Sequence, residues 1–295
     1  MKLQLALLLI NLYQFTTNGY PTIVIHGIAS NKDELQPFSN QLYHSLNSLN
    51  SLNSTNSLNS TIIDKPYMVY NMEIGNGKLN SIFMDINEQC RIFANNIKDL
   101  SISEDKINII GFSQGGLIAR CYVEQYSYII GVNSLITIAS PHMGIYNNYN
   151  IIPEVTKYYW KNPYRYWDTN KFILFLNNEQ QHDNYIKYKN NIQSLSNFVL
   201  IWSKIDNVIT PLESSKFEFY DIDKAINKNE LQIQPLIESP IYINDTLGLK
   251  ELYTNNKMIL HNIDCQHQEF KLSKCFKDMG LIQLLIPYLT DTISH

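Results

Sequence analysis

The sequence predicts an α/β fold built on a mainly parallel sheet. Short apolar runs rich in β-branched residues alternate with longer amphipathic stretches along most of the chain, the pattern of repeated strand–helix–strand units. Those runs are apolar at nearly every position, as strands covered on both faces are. The chain has 295 residues, 44% hydrophobic and 17% charged. That is enough apolar content for one large domain, and too much for a disordered chain.

Element by element, Met1-Lys2 precedes an apolar run over 3–10, and Gly19 is a small residue at the end of the stretch that follows. This reads as a secretory signal peptide over 1–19. The run is too short to span a bilayer, which takes about 20 apolar residues, and no other segment is long and apolar enough. The mature chain, 20–295, is expected to be a single domain without a transmembrane segment. Strands are expected at 22–25, 67–70, 107–110, 135–139, 198–202 and 258–260, and helices at 34–46, 82–100, 115–126 and 281–289, where apolar residues recur at helical spacing. Residues 45–61 repeat the tripeptide Ser-Leu-Asn without charge or aromatic residues, and are expected to form a low-complexity surface insertion. Residues 144–196 break the rhythm. They form an aromatic, irregular cap insertion expected over the C-terminal ends of the strands, where such sheets bind ligands.

The formal charge is −4 with no long run of Lys or Arg, so nothing is present to neutralise a row of phosphates, and no nucleic-acid partner is expected. Secretory entry gives meaning to three acceptor sequons, at Asn53, Asn59 and Asn244. It also permits disulfides. Cys265 and Cys275 lie ten residues apart around a loop and are expected to pair. Cys90 and Cys121 could pair only if two helices lie side by side. No Cys-x-x-Cys motif or His/Cys cluster occurs, so neither a metal nor another cofactor is expected.

The strongest local signal is Gly111-Phe112-Ser113-Gln114-Gly115, with the apolar run 107–110 before it and a helical stretch after it. A G-x-S-x-G pattern between strand and helix is the setting of a nucleophile elbow. The serine sits in a tight turn, and the helix start beyond it points amide donors towards developing negative charge. A serine hydroxyl needs a base, and the base needs an orienting acid. In α/β-hydrolases these follow in the order serine, acid, histidine. That order removes His26, His44 and His142. His182 precedes the best acid, and His295 is the last residue of the sequence. His261 ends a strand and could be a core residue; His267 lies in the loop beyond and is the preferred base. Asp206 follows strand 198–202 closely and is preferred as the acid over Asp183, Asp221 and Asp223. The oxyanion hole needs two backbone donors. The Gln114 N–H follows the nucleophile, and the turn Ile25-His26-Gly27-Ile28 nominates the Ile28 N–H as the other, with His26 as a positioning or plain turn residue.

Beyond the elbow, the chain contains Val24-Ile25-His26-Gly27, Met72-Glu73-Ile74-Gly75, Ser140-Pro141-His142-Met143-Gly144, Tyr159-Trp160-Lys161-Asn162-Pro163, Asp206-Asn207-Val208-Ile209-Thr210-Pro211, Leu247-Gly248-Leu249-Lys250-Glu251 and Asp264-Cys265-Gln266-His267. In order and spacing these motifs resemble those of the palmitoyl-protein thioesterases, lysosomal α/β-hydrolases that remove fatty acyl groups from cysteine. The resemblance implies that fold, with Ser113 as nucleophile, Asp206 as acid, His267 as base, and Ile28 and Gln114 as oxyanion donors. It implies S-acylated proteins or peptides, or acyl-CoA, as substrates, and a lysosomal location. Features of both type-one and type-two enzymes are present. The tripeptide repeat has no counterpart in the family, and Glu218 stands where the family has glycine.

The acyl chain needs an apolar groove, for which Met143, Tyr159 and Trp160 are the candidates. An ordinary imidazole titrates near about 6.5, so activity is expected to rise between about pH 5 and pH 7. Two other readings share the residues: a lipase or carboxylesterase acting on oxoesters, and a non-catalytic acyl-chain carrier.

Overall fold

The computed structural model describes residues 19–54, 66–146 and 154–290, for 49–54 the backbone only. The signal-peptide reading and the sequon at Asn59 lie outside the described residues, as does the side chain of Asn53. A six-stranded sheet runs in the order β2-β1-β3-β4-β5-β8, formed by β1 (Thr22–Ile25), β2 (Val69–Met72), β3 (Lys106–Phe112), β4 (Gly131–Ile138), β5 (Asn197–Trp202) and β8 (Met258–Asn262). Every neighbouring pair is parallel. The fold is that of an α/β-hydrolase, with helices on both faces of the sheet.

Side-chain alternation builds two cores from the same strands. Ile23, Ile25, Ile107, Ile109, Leu135, Phe198 and Leu200 face one side, where they meet α3 (Ile86–Asp99) and α4 (Gln114–Tyr126). Val24, Ile110, Phe112, Ile136, Ile138, Val199 and Ile201 face the other, against α1 (Lys32–Ser54) and the C-terminal segment that includes α10 (Leu281–Leu285). On α3, Ile86, Cys90, Phe93, Ala94 and Ile97 are buried at helical spacing. Full burial of one large side chain is worth about 1.5–3 kcal/mol, against at most about 0.7 kcal/mol of helix propensity for an ordinary residue. Packing therefore fixes this helix.

Several boundaries differ from the sequence expectation. The expected helix 82–100 is two helices, α2 (Lys78–Phe83) and α3, because the Asp85 carboxylate accepts from the Asn87 N–H (2.8 Å) and starts a new helix. The tripeptide repeat is not a surface insertion from its first residue. Helix α1 continues through it to Ser54, Leu46 is fully buried, and the Asn47 amide pairs with both backbone groups of Tyr67 just before β2. Extending a nucleated helix fixes one residue per added hydrogen bond, and Leu46 keeps the apolar face of α1 in register. The remainder of the repeat, 55–61, lies outside the described residues.

The insertion carries α5 (Lys171–Leu176) and α6 (Tyr185–Gln193). Its later half lies along α4 rather than over the strand ends: Asn191 and Lys187 donate to the carbonyls of Glu124 and Gln125. After β5 the chain adds a short hairpin of β6 (Phe219–Tyr220) and β7 (Ile233–Gln234) around α7 (Ile222–Lys228), and then α8 (Pro240–Ile243) and α9 (Leu249–Thr254). Cys90 on α3 and Cys121 on α4 form a disulfide across two adjacent helices, and Cys265 forms the other with Cys275. Among the described residues, no helix is long and apolar enough to cross a membrane.

Candidate active site

The chain passes from β1 outward to β2 and returns to β3 on the other side of β1. The strand order therefore reverses between β1 and β3, and their C-terminal loops diverge there to leave a crevice. Ile25 is level with Gly111 in that pair, so Gly27-Ile28 and Ser113 emerge side by side. Ser113 has φ 52° and ψ −124°, a left-handed conformation that side chains rarely adopt and that must be held from outside. The Ser113 N–H donates to Ile138 O (2.8 Å) at the end of β4, and the Gly116 N–H donates to Ser113 O (2.9 Å). Gly27 is required by proximity. A Cβ there would lie 2.8 Å from Phe112 O and 2.9 Å from Ser113 Cβ, well inside van der Waals contact.

The side chains singled out from the sequence meet at this crevice. His267 Nε2 lies 3.0 Å from Ser113 Oγ, and His267 Nδ1 lies 2.8 Å from Asp206 Oδ2. Asp206 Oδ1 accepts from the N–H groups of Val208 (2.8 Å) and Ile209 (3.0 Å). The carboxylate is thus fully engaged, with one oxygen fixing its own loop and the other facing the imidazole. Both side chains are almost wholly buried. His267 opens a short 3-10 turn whose entry is set by a capping box between Gln266 and Glu269, and the Cys265–Cys275 disulfide closes the loop. His261, the other histidine late in the chain, hydrogen-bonds Tyr288 Oη (2.8 Å) instead. Asp183, Asp221 and Asp223 lie on other elements, and Asp221 caps α7 through the Lys224 N–H.

The pocket at Ser113 is lined by Gly27, Ile28, Leu35, Phe112, Ile138 and Phe270, with Val208, His267 and Lys271 also at its wall. The three residues expected to line an acyl groove lie elsewhere. Tyr159 is buried and donates from its hydroxyl to Gln114 Oε1 (2.9 Å). Trp160 packs against Tyr146. Met143 lines a separate cavity of about 310 Å³ with Lys161, Glu179 and Phe219. The apolar wall beside the serine comes instead from the β1 loop, α1 and the segment after His267.

Charge around the site is arranged in two further clusters that sequence reading missed. At the pocket rim, Glu34 binds Lys271, Lys78 and Ser30. Burial pushes its carboxyl up, but the hydrogen bonds from Lys271, Lys78 and Ser30 outweigh it and hold the pKa at about 2. On α4, Arg120 and Glu124 are fully buried with Nε and Oε1 3.2 Å apart, and Arg120 also donates to Asn177 Oδ1 (2.6 Å). Burial lowers the guanidinium below its ordinary range, against the opposing pull of Glu124, and raises the Glu124 carboxyl well above its own. His142 stacks on Phe217 beside them, and burial together with Arg120 holds its imidazole well below the usual range, so it stays neutral. An Arg and a Glu four apart on an otherwise uncharged helix were the available signal.

Comparison with known proteins gives the same direction. The family model described as palmitoyl protein thioesterase matches residues 21–267. Palmitoyl-protein thioesterase 3 of Dictyostelium discoideum is 28% identical over 92% of this chain and 92% of its own length. The lysosomal thioesterase PPT2 homolog of Drosophila melanogaster is 25% identical, covering 81% of this chain and 82% of its own. Among solved structures, a Bacillus licheniformis lipase superposes with a TM-score of 0.47 at 11% identity, over 92% of this chain and 93% of that one. The match from β1 through His267 spans the whole sheet and all three strand-end loops described above, and the chain belongs to the palmitoyl protein thioesterase family.

Proposed function

We propose that this chain hydrolyses thioesters of long-chain fatty acids, such as palmitate on cysteine or on coenzyme A, through a Ser113–His267–Asp206 triad. The observation that carries the proposal is the continuous chain from Ser113 Oγ to His267 Nε2 (3.0 Å) and from His267 Nδ1 to Asp206 Oδ2 (2.8 Å). His267 Nε2 takes the Ser113 proton as Oγ attacks the thioester carbonyl. The oxyanion that forms rests on the backbone N–H groups of Ile28 and Gln114. The C–S bond then breaks, and the proton held on His267 passes to the departing sulfur, which leaves as a thiol and returns the imidazole to its neutral form. A thiol has a pKa of about 8.5, so the leaving sulfur needs far less acid assistance than an amine. The palmitoyl group is left on Ser113 Oγ. His267 next takes a proton from water, which attacks the acyl-enzyme, and the fatty acid leaves with Ser113 reprotonated.

The pocket wall of Ile28, Leu35, Phe112, Ile138 and Phe270 is the proposed seat for the first carbons of the acyl chain. The names of the relatives favour a lysosomal setting, reached through a signal peptide over 1–19 ahead of a single domain over 20–295. Asn244 is exposed beside α8 and is the sequon proposed to carry a glycan. The test is turnover of palmitoyl-CoA, an S-palmitoyl peptide and the matched palmitoyl oxoester by wild type and Ser113→Ala. Thioester turnover lost in the variant supports the proposal. Preference for the oxoester assigns the chain to lipase chemistry, and turnover that survives in the variant removes Ser113 from the mechanism.

A further inference from the structure

We infer that Ser81 is a positioning residue that holds both halves of the oxyanion hole in register. The inference rests on the triad reading above and extends it to a residue that the sequence did not mark. Ser81 lies on α2 and is 1% exposed, while its neighbours Leu79 and Phe83 on the same helix face solvent. Its hydroxyl donates to Lys78 O (2.8 Å), which fixes the oxygen lone pairs, and accepts from the Ala29 N–H (2.9 Å). Its carbonyl accepts from Gln114 Nε2 (3.0 Å). One buried residue therefore ties down the residue after Ile28 and the residue after Ser113.

Each tie carries a load. Ala29 has φ 53°, a left-handed conformation that costs a side-chain-bearing residue roughly 1–2 kcal/mol. Hydrogen bonding of its N–H to Ser81 Oγ opposes relaxation of that turn, and any relaxation shifts Ile28, whose own N–H lies one peptide group further back. The Gln114 side chain is held at every polar atom. Nε2 donates to Ser81 O and to Gln89 Oε1 (3.0 Å), and Oε1 accepts from the Tyr159 hydroxyl (2.9 Å). Gln89 is locked in turn by donation to Met84 O (2.9 Å). All four of these side chains are buried. Catalysis by oxyanion donors depends on their being aimed before charge develops, so that no reorganisation accompanies reaction. The network supplies that fixity, and Ser81 is the member that touches both loops.

The test is Ser81→Ala in the full chain, with palmitoyl-CoA as substrate and a palmityl trifluoromethyl ketone as tetrahedral analogue. The substitution removes the hydroxyl that holds the Ala29 N–H and leaves the Ser81 carbonyl that holds Gln114, so that the Ile28 half of the hole is released alone. Loss of one oxyanion donor costs about 100- to 1,000-fold in kcat, and misaiming a donor that remains is expected to cost about 10- to 100-fold. KM and palmitate affinity should stay within about threefold, while affinity for the ketone falls in step with kcat. Glycine takes φ 53° without strain, so Ser81→Ala with Ala29→Gly should regain part of the lost kcat. Unchanged kcat in Ser81→Ala, or equal losses of ketone and palmitate affinity, would overturn the inference. So would failure of Ala29→Gly to restore any activity in a folded double variant. If wild type itself turns over no thioester or oxoester, the triad reading fails instead.

Discussion

Replacing Asp206 with asparagine tests how the triad is oriented, because the structure determines which way the new amide must point. One oxygen of Asp206 accepts two backbone N–H groups, from Val208 at 2.8 Å and Ile209 at 3.0 Å, and the other faces His267 Nδ1 at 2.8 Å. In Asp206→Asn the amide oxygen keeps the two backbone donors, since the opposite orientation would set an NH2 against both. The amide NH2 then faces Nδ1, which must become an acceptor. The imidazole proton moves to Nε2, where it points at Ser113 Oγ, and the base can no longer take the serine proton. In the serine-protease template the same tautomer trap lowers kcat about 10,000-fold, equivalent to about 5 kcal/mol of transition-state stabilisation. The backbone bonds that hold the loop survive, so the melting temperature should change little. The assay is steady-state release of thiol from palmitoyl-CoA, with labelling by a fluorophosphonate as a second reading of Ser113 reactivity. Folded Asp206→Asn enzyme with kcat within tenfold of wild type would contradict the role assigned to the Asp206 carboxylate in fixing the His267 tautomer.

The two charge clusters give further expectations. The folded pKa of Glu34, about 2, lies below its ordinary value of 4.5, so its pairing stabilises fully above about pH 4.5 and is lost as pH falls towards 2. Glu34→Gln should therefore lower the melting temperature at pH 5 to 7, by the equivalent of on the order of 1 kcal/mol for this partly exposed group. The gap should close between about pH 4.5 and pH 2; a gap that persists at pH 2 would assign the effect to packing. Arg120→Met leaves the Glu124 carboxyl buried without its counter-charge and should destabilise by about 3–5 kcal/mol. Adding Glu124→Leu should recover most of that loss in thermal or urea denaturation, and an equally unstable double variant would contradict the charge-pair explanation.

What the sequence disclosed and what it hid have different physical causes. The sheet strands were legible because runs such as Ile107–Ile110 are apolar enough to be buried on both faces. The elbow was legible because a strand, a flanked serine and a helix start are contiguous in the chain. Asp206 and His267 followed from where they stand after β5 and β8, since loops beyond parallel strands converge on one edge. Edges and breaks were harder. The N-terminal end of β4, from Gly131 to Ser134, carries polar residues and shows no apolar run. The division of α2 from α3 rests on one carboxylate at Asp85. The hairpin of β6 and β7 has two residues per strand, too few to show a period.

The polar network behind the oxyanion loops was invisible for another reason. Ser81 meets Ala29 across 52 positions and Gln114 across 33, and a hydrogen bond between distant residues leaves no local pattern. The same holds for Tyr159, whose aromatic character suggested an acyl groove. Its hydroxyl instead satisfies Gln114 from inside the core. A buried tyrosine needs a hydrogen-bond partner for its hydroxyl, and Gln114 is that partner.

The most direct measurement is of the covalent intermediate. Enzyme mixed with palmitoyl-CoA and quenched in acid during turnover, then digested and analysed by mass spectrometry, should carry palmitate on the peptide containing Ser113, and the Ser113→Ala protein should carry none. Palmitate found on another residue, or active enzyme that never accumulates a Ser113 acyl group even when His267→Ala is used to slow deacylation, would contradict the assignment of Ser113 as the nucleophile.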